Sequence, residues 1–285
     1  MSVAPTAGPA ARDRDAPLQA EPGHTFRTKS FHVADRWFHR VTELLSAMHE
    51  GFWLGCLNAD ELNAITATHY GDSQFYASNE HNVSGLFEWE SEILGRYFRS
   101  SSRVLVAAAG AGREVLALRK AGFDATGFEC SLPLVSASQK IFDQLGETNS
   151  VTYWPQDSVP PGHGNYDGLI LGWGGYTHIP TKERRISFLE GLRRHVPPQS
   201  PLVLSFFTRT GDSVYDRATY RTARFCRFFL RGAKQAPELG DRLDWSRFVH
   251  RFTRCELEVE LKRAGFRVEH YREESGTGHA VAISE

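Results

Sequence analysis

Arg103-Val104-Leu105-Val106-Ala107-Ala108-Ala109-Gly110-Ala111-Gly112-Arg113-Glu114-Val115-Leu116 reads as a strand, a tight turn of small residues and the start of a helix. The run from Val104 to Ala109 has no polar alternation, which predicts a strand covered on both faces in a parallel sheet. Gly110 and Gly112 carry no Cβ, so the backbone can turn sharply there and a ligand can come close to it. A second strand-like run, Asp124 to Glu129, follows Gly122 and ends on an acid. In an open α/β sheet this is where a carboxylate meets a ribose diol. A dinucleotide fingerprint would place its third glycine at the position of Val115. That departure disfavours a dehydrogenase and leaves room for a nucleoside without a pyrophosphate.

Downstream, Ser131 and Pro133 suit the opening of a helix that should end near Gly146. Val151 to Trp154 is a third strand leading to Gln156-Asp157-Ser158, and Tyr166 to Leu171 is a fourth. The fourth strand empties into Gly172-Trp173-Gly174-Gly175-Tyr176-Thr177-His178-Ile179-Pro180. That loop falls at the switch-point crevice where open α/β sheets bind ligands. A helix from Lys182 to about Arg194 and a fifth strand from Leu202 to Phe207 follow. Thr253-Arg254-Cys255-Glu256 has the form of a capping box, and two last strands, Phe266 to Tyr271 and His279 to Ser284, close the chain. There is no internal repeat.

From about Ser101 onward these residues resemble the class I S-adenosylmethionine-dependent methyltransferases, with a long insertion after the fifth strand. The first motif of that family is an acidic-apolar strand ending in GxGxG, followed by an acid at the tip of the next strand. Val106 stands where the family often has Asp or Glu, and Ala108 where it often has its first glycine. The resemblance implies an α/β, Rossmann-like fold. Its seven-stranded sheet would be mostly parallel with an antiparallel last strand, helices on both faces and a helical cap before it. It implies S-adenosylmethionine as cofactor, contacted by Ala108, Gly110, Gly112, Glu129, Cys130, Asp157, Ser158, Gly172 and Trp173. Asp157 matches the place of the adenine contact, and equally suits a turn before Pro160-Pro161.

Residues 1–23 contain four prolines and little apolar surface, which predicts a disordered tail. Residues 24–100 read as the cap, with Val33, Trp37, Val41, Leu44, Leu45 and Met48 recurring at helical spacing. Its many aromatic residues read first as helix-to-sheet packing, with a few roofing cofactor and substrate. Tyr76 is the cofactor contact favoured among them, because the polar loop around it is long for a mere connector. The connection from about 208 to 251 reads as an inserted helical lid. On it Arg217, Arg221, Arg224, Arg227 and Arg231 share one helical side, and Phe225 and Phe229 are expected to pack inward. The arginine face is a solvated surface in the plainest reading, and a phosphate-, carboxylate- or RNA-recognising lid in the sharper ones.

With 285 residues, 24% charged and 41% hydrophobic, the composition is that of an ordinary globular chain. A formal net charge of -1 gives no global attraction to nucleic acid or an anionic membrane. The four cysteines show no zinc spacing, so no metal is expected and a reducing, cytoplasmic setting is. No apolar run approaches the ~20 residues of a membrane span.

The resulting expectation is methyl transfer to a small organic metabolite, O-methylation favoured, with association between copies of the chain left open. His178 is the candidate base, His81 the runner-up, and Tyr176 a residue that could orient substrate. For His178 the alternative is a structural role at the start of the following helix. An RNA methyltransferase and a non-catalytic cofactor-binding protein are the competing readings.

Overall fold

The computed structural model describes residues 25–100, 102–163, 165–230 and 236–285. The predicted tail and Arg231 lie outside them. Four helices come first: α1 (Phe26–Cys56), α2 (Ala59–Gly71), α3 (Asn79–Val83) and α4 (Glu88–Tyr97). Alternating elements follow: β1 (Arg103–Ala107), α5 (Arg113–Lys120), β2 (Asp124–Glu129), α6 (Leu132–Leu145), β3 (Val151–Tyr153), β4 (Gly168–Leu171), a short 3-10 turn (Gly175–His178), α7 (Lys182–Arg193) and β5 (Pro201–Phe207). The insertion holds α8 (Val214–Leu230), β6 (Asp241–Asp244) and β7 (Arg247–His250). The chain then closes with α9 (Arg254–Arg263), β8 (Phe266–Glu274) and β9 (Thr277–Ser284).

The main sheet has seven strands in the order β3-β2-β1-β4-β5-β9-β8. Strands β1 to β5 pair in parallel, and β9 runs antiparallel to both β5 and β8. This is the Rossmann-like sheet the motifs imply. Its order reverses between β1 and β4, so the crevice beyond their carboxyl ends is the ligand site such a topology makes available. Val106 is fully buried and pairs with Gly127 and Ile170. The glycine missing at Val115 is supplied from the other side. A Cβ on Gly127 would lie 2.8 Å from the Ala109 Cβ and 3.0 Å from Val115 Cγ2. The helix thus approaches the sheet closely because the strand, not the helix, is stripped of its side chain.

The chain divides into two compact units at Glu43/Leu44, within α1. In the second unit three expectations fail. Leu44, Leu45, Met48, Phe52 and Trp53 are exposed. The buried stripe of the second unit's part of α1 is instead Ala47, Gly51, Leu54 and Gly55. On α8, Phe225, Phe228 and Phe229 are exposed, whereas Asp216, Thr219 and Ala223 are buried. The reason is backbone contact. A Cβ on Gly51 would fall 2.4 Å from Thr219 O, and one on Gly55 2.5 Å from Ala223 O. Helices this close exclude large side chains from the seam, so a pattern search for bulky apolar residues selects the wrong face. The insertion is also not purely helical, because β6 and β7 form an antiparallel hairpin.

Candidate active site

A cavity of about 350 Å³ opens beyond the carboxyl ends of β1, β2 and β4, roofed by residues of α2, α3 and the loop between them. Its floor is the turn after β1. Gly110, at φ 57°, has nothing within 4 Å of where a Cβ would stand, so a ligand can lie against its backbone. Ala108 takes a left-handed φ of 51°, and a Cβ on Gly172 would meet Ala108 O at 2.4 Å. Gly112 and Gly172 therefore shape the turn and do not line the cavity.

Glu129 ties this floor together. Its Oε2 accepts from Gly110 N–H at 2.9 Å, and its Oε1 accepts from Cys130 N–H at 2.9 Å and Ser131 N–H at 2.8 Å. A carboxylate oxygen has about two acceptor sites, so Oε2, with a single backbone donor, keeps capacity for a hydroxyl. Burial, followed by the neighbouring Glu129 charge, pushes the Cys130 thiol up, so it stays protonated.

Three residues of the cavity lining each carry a buried polar atom with no hydrogen-bond partner: Asp157 Oδ1, Trp154 Nε1 and Ser131 Oγ. Asp157 Oδ2 is held by Asn63 Nδ2 at 2.6 Å and Arg184 Nη1 at 3.0 Å, which leaves Oδ1 aimed elsewhere. Burial raises the Asp157 carboxyl despite these partners. Unpaired buried polar atoms cost free energy, so these three, all on residues that line the cavity, are candidates to meet a polar ligand. Ser158 also lines the cavity.

The lining also holds a hydrogen-bonded histidine–tyrosine pair. His178, from the loop after β4, is buried, and its Nδ1 lies 2.8 Å from the carbonyl of Phe248 on β7. A carbonyl only accepts, so Nδ1 carries the hydrogen and Nε2 is the bare acceptor. Tyr70 Oη lies 2.7 Å from Nε2 and so donates to it, while Arg247 Nη1 donates to Tyr70 Oη at 3.2 Å. Burial pushes the imidazole down to about 4 from its ordinary 6.5.

This depression has a consequence for stability. The unfolded chain binds the proton between pH 6.5 and about 4 while the folded chain does not, so this contribution is complete above 6.5 and is lost as pH falls toward 4. His178→Gln should remove about 3 kcal/mol of acid-dependent destabilisation across that window. Urea midpoints of wild type and variant, measured at several pH values, give the difference.

His81 and Tyr76 line the cavity, their rings 5.6 Å apart edge to face, and Trp173 lines it beside Phe87. Burial, then Arg113, lowers His81. Tyr176 does not reach the cavity. It is fully buried, stacked on Phe252, and donates to Glu260 Oε2 at 2.5 Å. A phenol sealed into the core cannot orient a substrate, so that expectation is corrected.

Sequence reasoning missed Tyr70, Trp154, Ser131, Arg113 and Glu114. Only the fold brings them to the cavity. Arg113 is 3% exposed and is gripped by Glu90 and Glu114, each at 2.7 Å. Glu114 thus sets a carboxylate on the cavity wall although Val106 does not. Among the described residues no cluster of His, Cys, Asp or Glu could hold a metal ion, and no helix is long and apolar enough to cross a membrane.

No family model and no curated protein matches the sequence. Solved structures do. An S-adenosylmethionine-dependent methyltransferase from Methanosarcina mazei is 17% identical, with a TM-score of 0.53 over 70% of this chain and 98% of that one. The 1,6-didemethyltoxoflavin N1-methyltransferase of Burkholderia thailandensis, solved with that compound and S-adenosylhomocysteine bound, is 18% identical, with a TM-score of 0.56 over 80% and 91%. A methyltransferase from Streptomyces caelestis is 13% identical, with a TM-score of 0.53 over 77% and 98%. At these identities the likeness is one of fold. The chain has the fold of the S-adenosylmethionine-dependent methyltransferases.

Proposed function

We propose that the protein is an enzyme that transfers a methyl group from S-adenosylmethionine to a small organic acceptor, at oxygen in preference to other atoms. The observation that carries this is the set of buried, partnerless polar atoms at Asp157, Trp154 and Ser131, beside a backbone-anchored Glu129 and an open Gly110. That set fits an adenosine. Glu129 Oε2 has acceptor capacity for a ribose hydroxyl, Asp157 Oδ1 for the exocyclic amine, and Trp154 Nε1 has a hydrogen for a ring nitrogen. When bound, the cofactor supplies a methyl carbon on a sulfonium. The chain's own task is to hold the acceptor in line with that carbon, exclude water and take up a proton, and alignment alone can be worth ~7–11 kcal/mol.

Within this proposal Gly110 lets the cofactor approach, with Ala108, Gly112, Gly172 and Trp173 setting the loops around it. Cys130 and Ser158 border the adenosine, and Tyr76 closes over it. Residues 24–100 act as the cap and the 208–251 insertion as a lid, whose Phe248 carbonyl fixes His178. His178 is preferred to His81 as base because its tautomer is set and its free nitrogen faces a phenol.

Calorimetric titration with S-adenosylhomocysteine tests the proposal, with NAD as control. The homocysteine nucleoside should bind and NAD should not, and Asp157→Ala should weaken binding by about tenfold, the worth of one hydrogen bond to a buried charged group. Heat from NAD alone, or from neither ligand, would overturn the assignment.

A further inference from the structure

The Tyr70–His178 pair says what kind of acceptor the cavity serves. Resting on the methyltransferase proposal, we propose that the acceptor is a phenol, and that its proton leaves through the Tyr70 hydroxyl to His178 Nε2. In the resting arrangement the phenol proton of Tyr70 points at Nε2, because that nitrogen is the bare one. The Tyr70 oxygen accepts from Arg247 and has one further acceptor site. With its own hydrogen committed to His178, Tyr70 offers an incoming group an acceptor only. A hydroxyl fits that demand, and a carboxylate or a carbonyl does not.

Two further observations narrow the class. The cavity is walled by Phe75, Tyr76, Phe87, Trp173 and Phe188, flat surfaces that suit a planar ring. The terminal nitrogens of Arg113, the arginine on that wall, are engaged by Glu90, Glu114 and the Gly85 carbonyl, so no guanidinium fork is offered there to an anionic acceptor. Acidity matters as well. The groups facing His178 are Tyr70 and His69 from α2, Arg247 from β7 and Asp244 from β6, and Tyr76 and Glu129 also act on Tyr70. Burial and Arg247 leave His178 a weak base. A phenol, with a pKa of about 10 like that of tyrosine itself, gives up its proton to so weak a base only as the methyl carbon bonds to its oxygen, and it does so more readily than an aliphatic alcohol, a much weaker acid.

The step balances. The acceptor oxygen forms a bond to the methyl carbon, and the carbon–sulfur bond breaks with its electron pair left on sulfur. The acceptor's proton goes to Tyr70 Oη as the proton of Tyr70 goes to His178 Nε2. The imidazolium, held by the Phe248 carbonyl, returns its proton to Tyr70 Oη as Tyr70 passes its own to water in the cavity once product has left.

The test compares Tyr70→Phe with wild type on two probes, para-cresol and para-nitrophenol, with labelled methyl donor at about pH 8. Para-cresol is un-ionised there and needs the relay, whereas para-nitrophenol is already ionised and bypasses it. Wild type should hold the phenolate more weakly, because Tyr70 offers it no donor, so the two are compared at saturating acceptor. Tyr70→Phe should lose ~10²–10⁴ in kcat on para-cresol and little on para-nitrophenol. His178→Gln should show the same selective loss. Equal losses on both probes would mean a packing role, and no loss would mean no role; either overturns the relay. A wild type that binds S-adenosylhomocysteine but methylates neither phenol overturns the acceptor class. A wild type that does not bind it overturns the underlying proposal instead. Independently of turnover, the nitrogen-15 shifts of His178 should show Nδ1 protonated and Nε2 bare at neutral pH, with Nε2 shifted in Tyr70→Phe; a protonated Nε2 would refute the relay.

Discussion

Glu260→Ala should destabilise the protein by ~3–5 kcal/mol, because it strands a buried arginine. Arg185 is fully buried on α7 and donates to Glu260 Oε2 through Nε at 3.0 Å and to Oε1 through Nη2 at 2.8 Å. Glu238 supplies a second carboxylate at 2.8 Å, but it is partly exposed, whereas Glu260 is sealed. The two carboxylates hold the guanidinium well above its ordinary value, so it cannot escape by losing its proton. Removing Glu260 also leaves the buried Tyr176 hydroxyl without an acceptor. Urea denaturation followed by circular dichroism reads the loss. The pair Arg185→Met with Glu260→Leu should recover much of it, since removing both charges deletes the desolvation penalty along with the attraction. If Glu260→Ala shifts the midpoint no more than a surface substitution does, Arg185 is not stranded by its loss and the buried pair contributes little to stability.

The other large effect belongs to Glu129. Glu129→Ala should reduce affinity for S-adenosylhomocysteine by at least ~10–10², or about 1.5–3 kcal/mol, the worth of the one hydrogen bond Oε2 has room for. A further loss comes from the floor itself. The N–H groups of Gly110, Cys130 and Ser131 would lose their shared acceptor, and the turn after β1 would lose its tie to the turn after β2. Glu129→Gln separates the two contributions poorly, because its amide nitrogen cannot accept from a backbone donor. Comparing calorimetric affinity with thermal stability does so better. An affinity unchanged in Glu129→Ala would remove the acid from the cofactor site.

Much of the fold was legible because its signals are local. A strand buried on both faces needs an apolar run such as Val104 to Ala109, and the turn after it needs residues without bulk. The helix at Thr253 announces itself through reciprocal hydrogen bonds with Glu256, both of which form. Periodicity found α1 and α8 as helices but not their buried faces, where glycine, alanine and threonine make the close contacts and most of the large apolar side chains face outward.

The candidate site divides along the same line. Sequence alone determined the strand-turn-helix, the placing of Glu129 at a strand end and the loop that carries His178, because each depends on neighbours in the chain. Only tertiary structure decided what those residues meet. It set Tyr70 against His178 across 108 positions of sequence, and it took Tyr176, two residues from His178, away into the core onto Glu260. It also left Asp157 Oδ1 and Trp154 Nε1 partnerless on residues that line the cavity. Hydrogen-bond satisfaction and burial are properties of the packed whole, and no spacing along the chain encodes which polar atoms packing will leave unpaired.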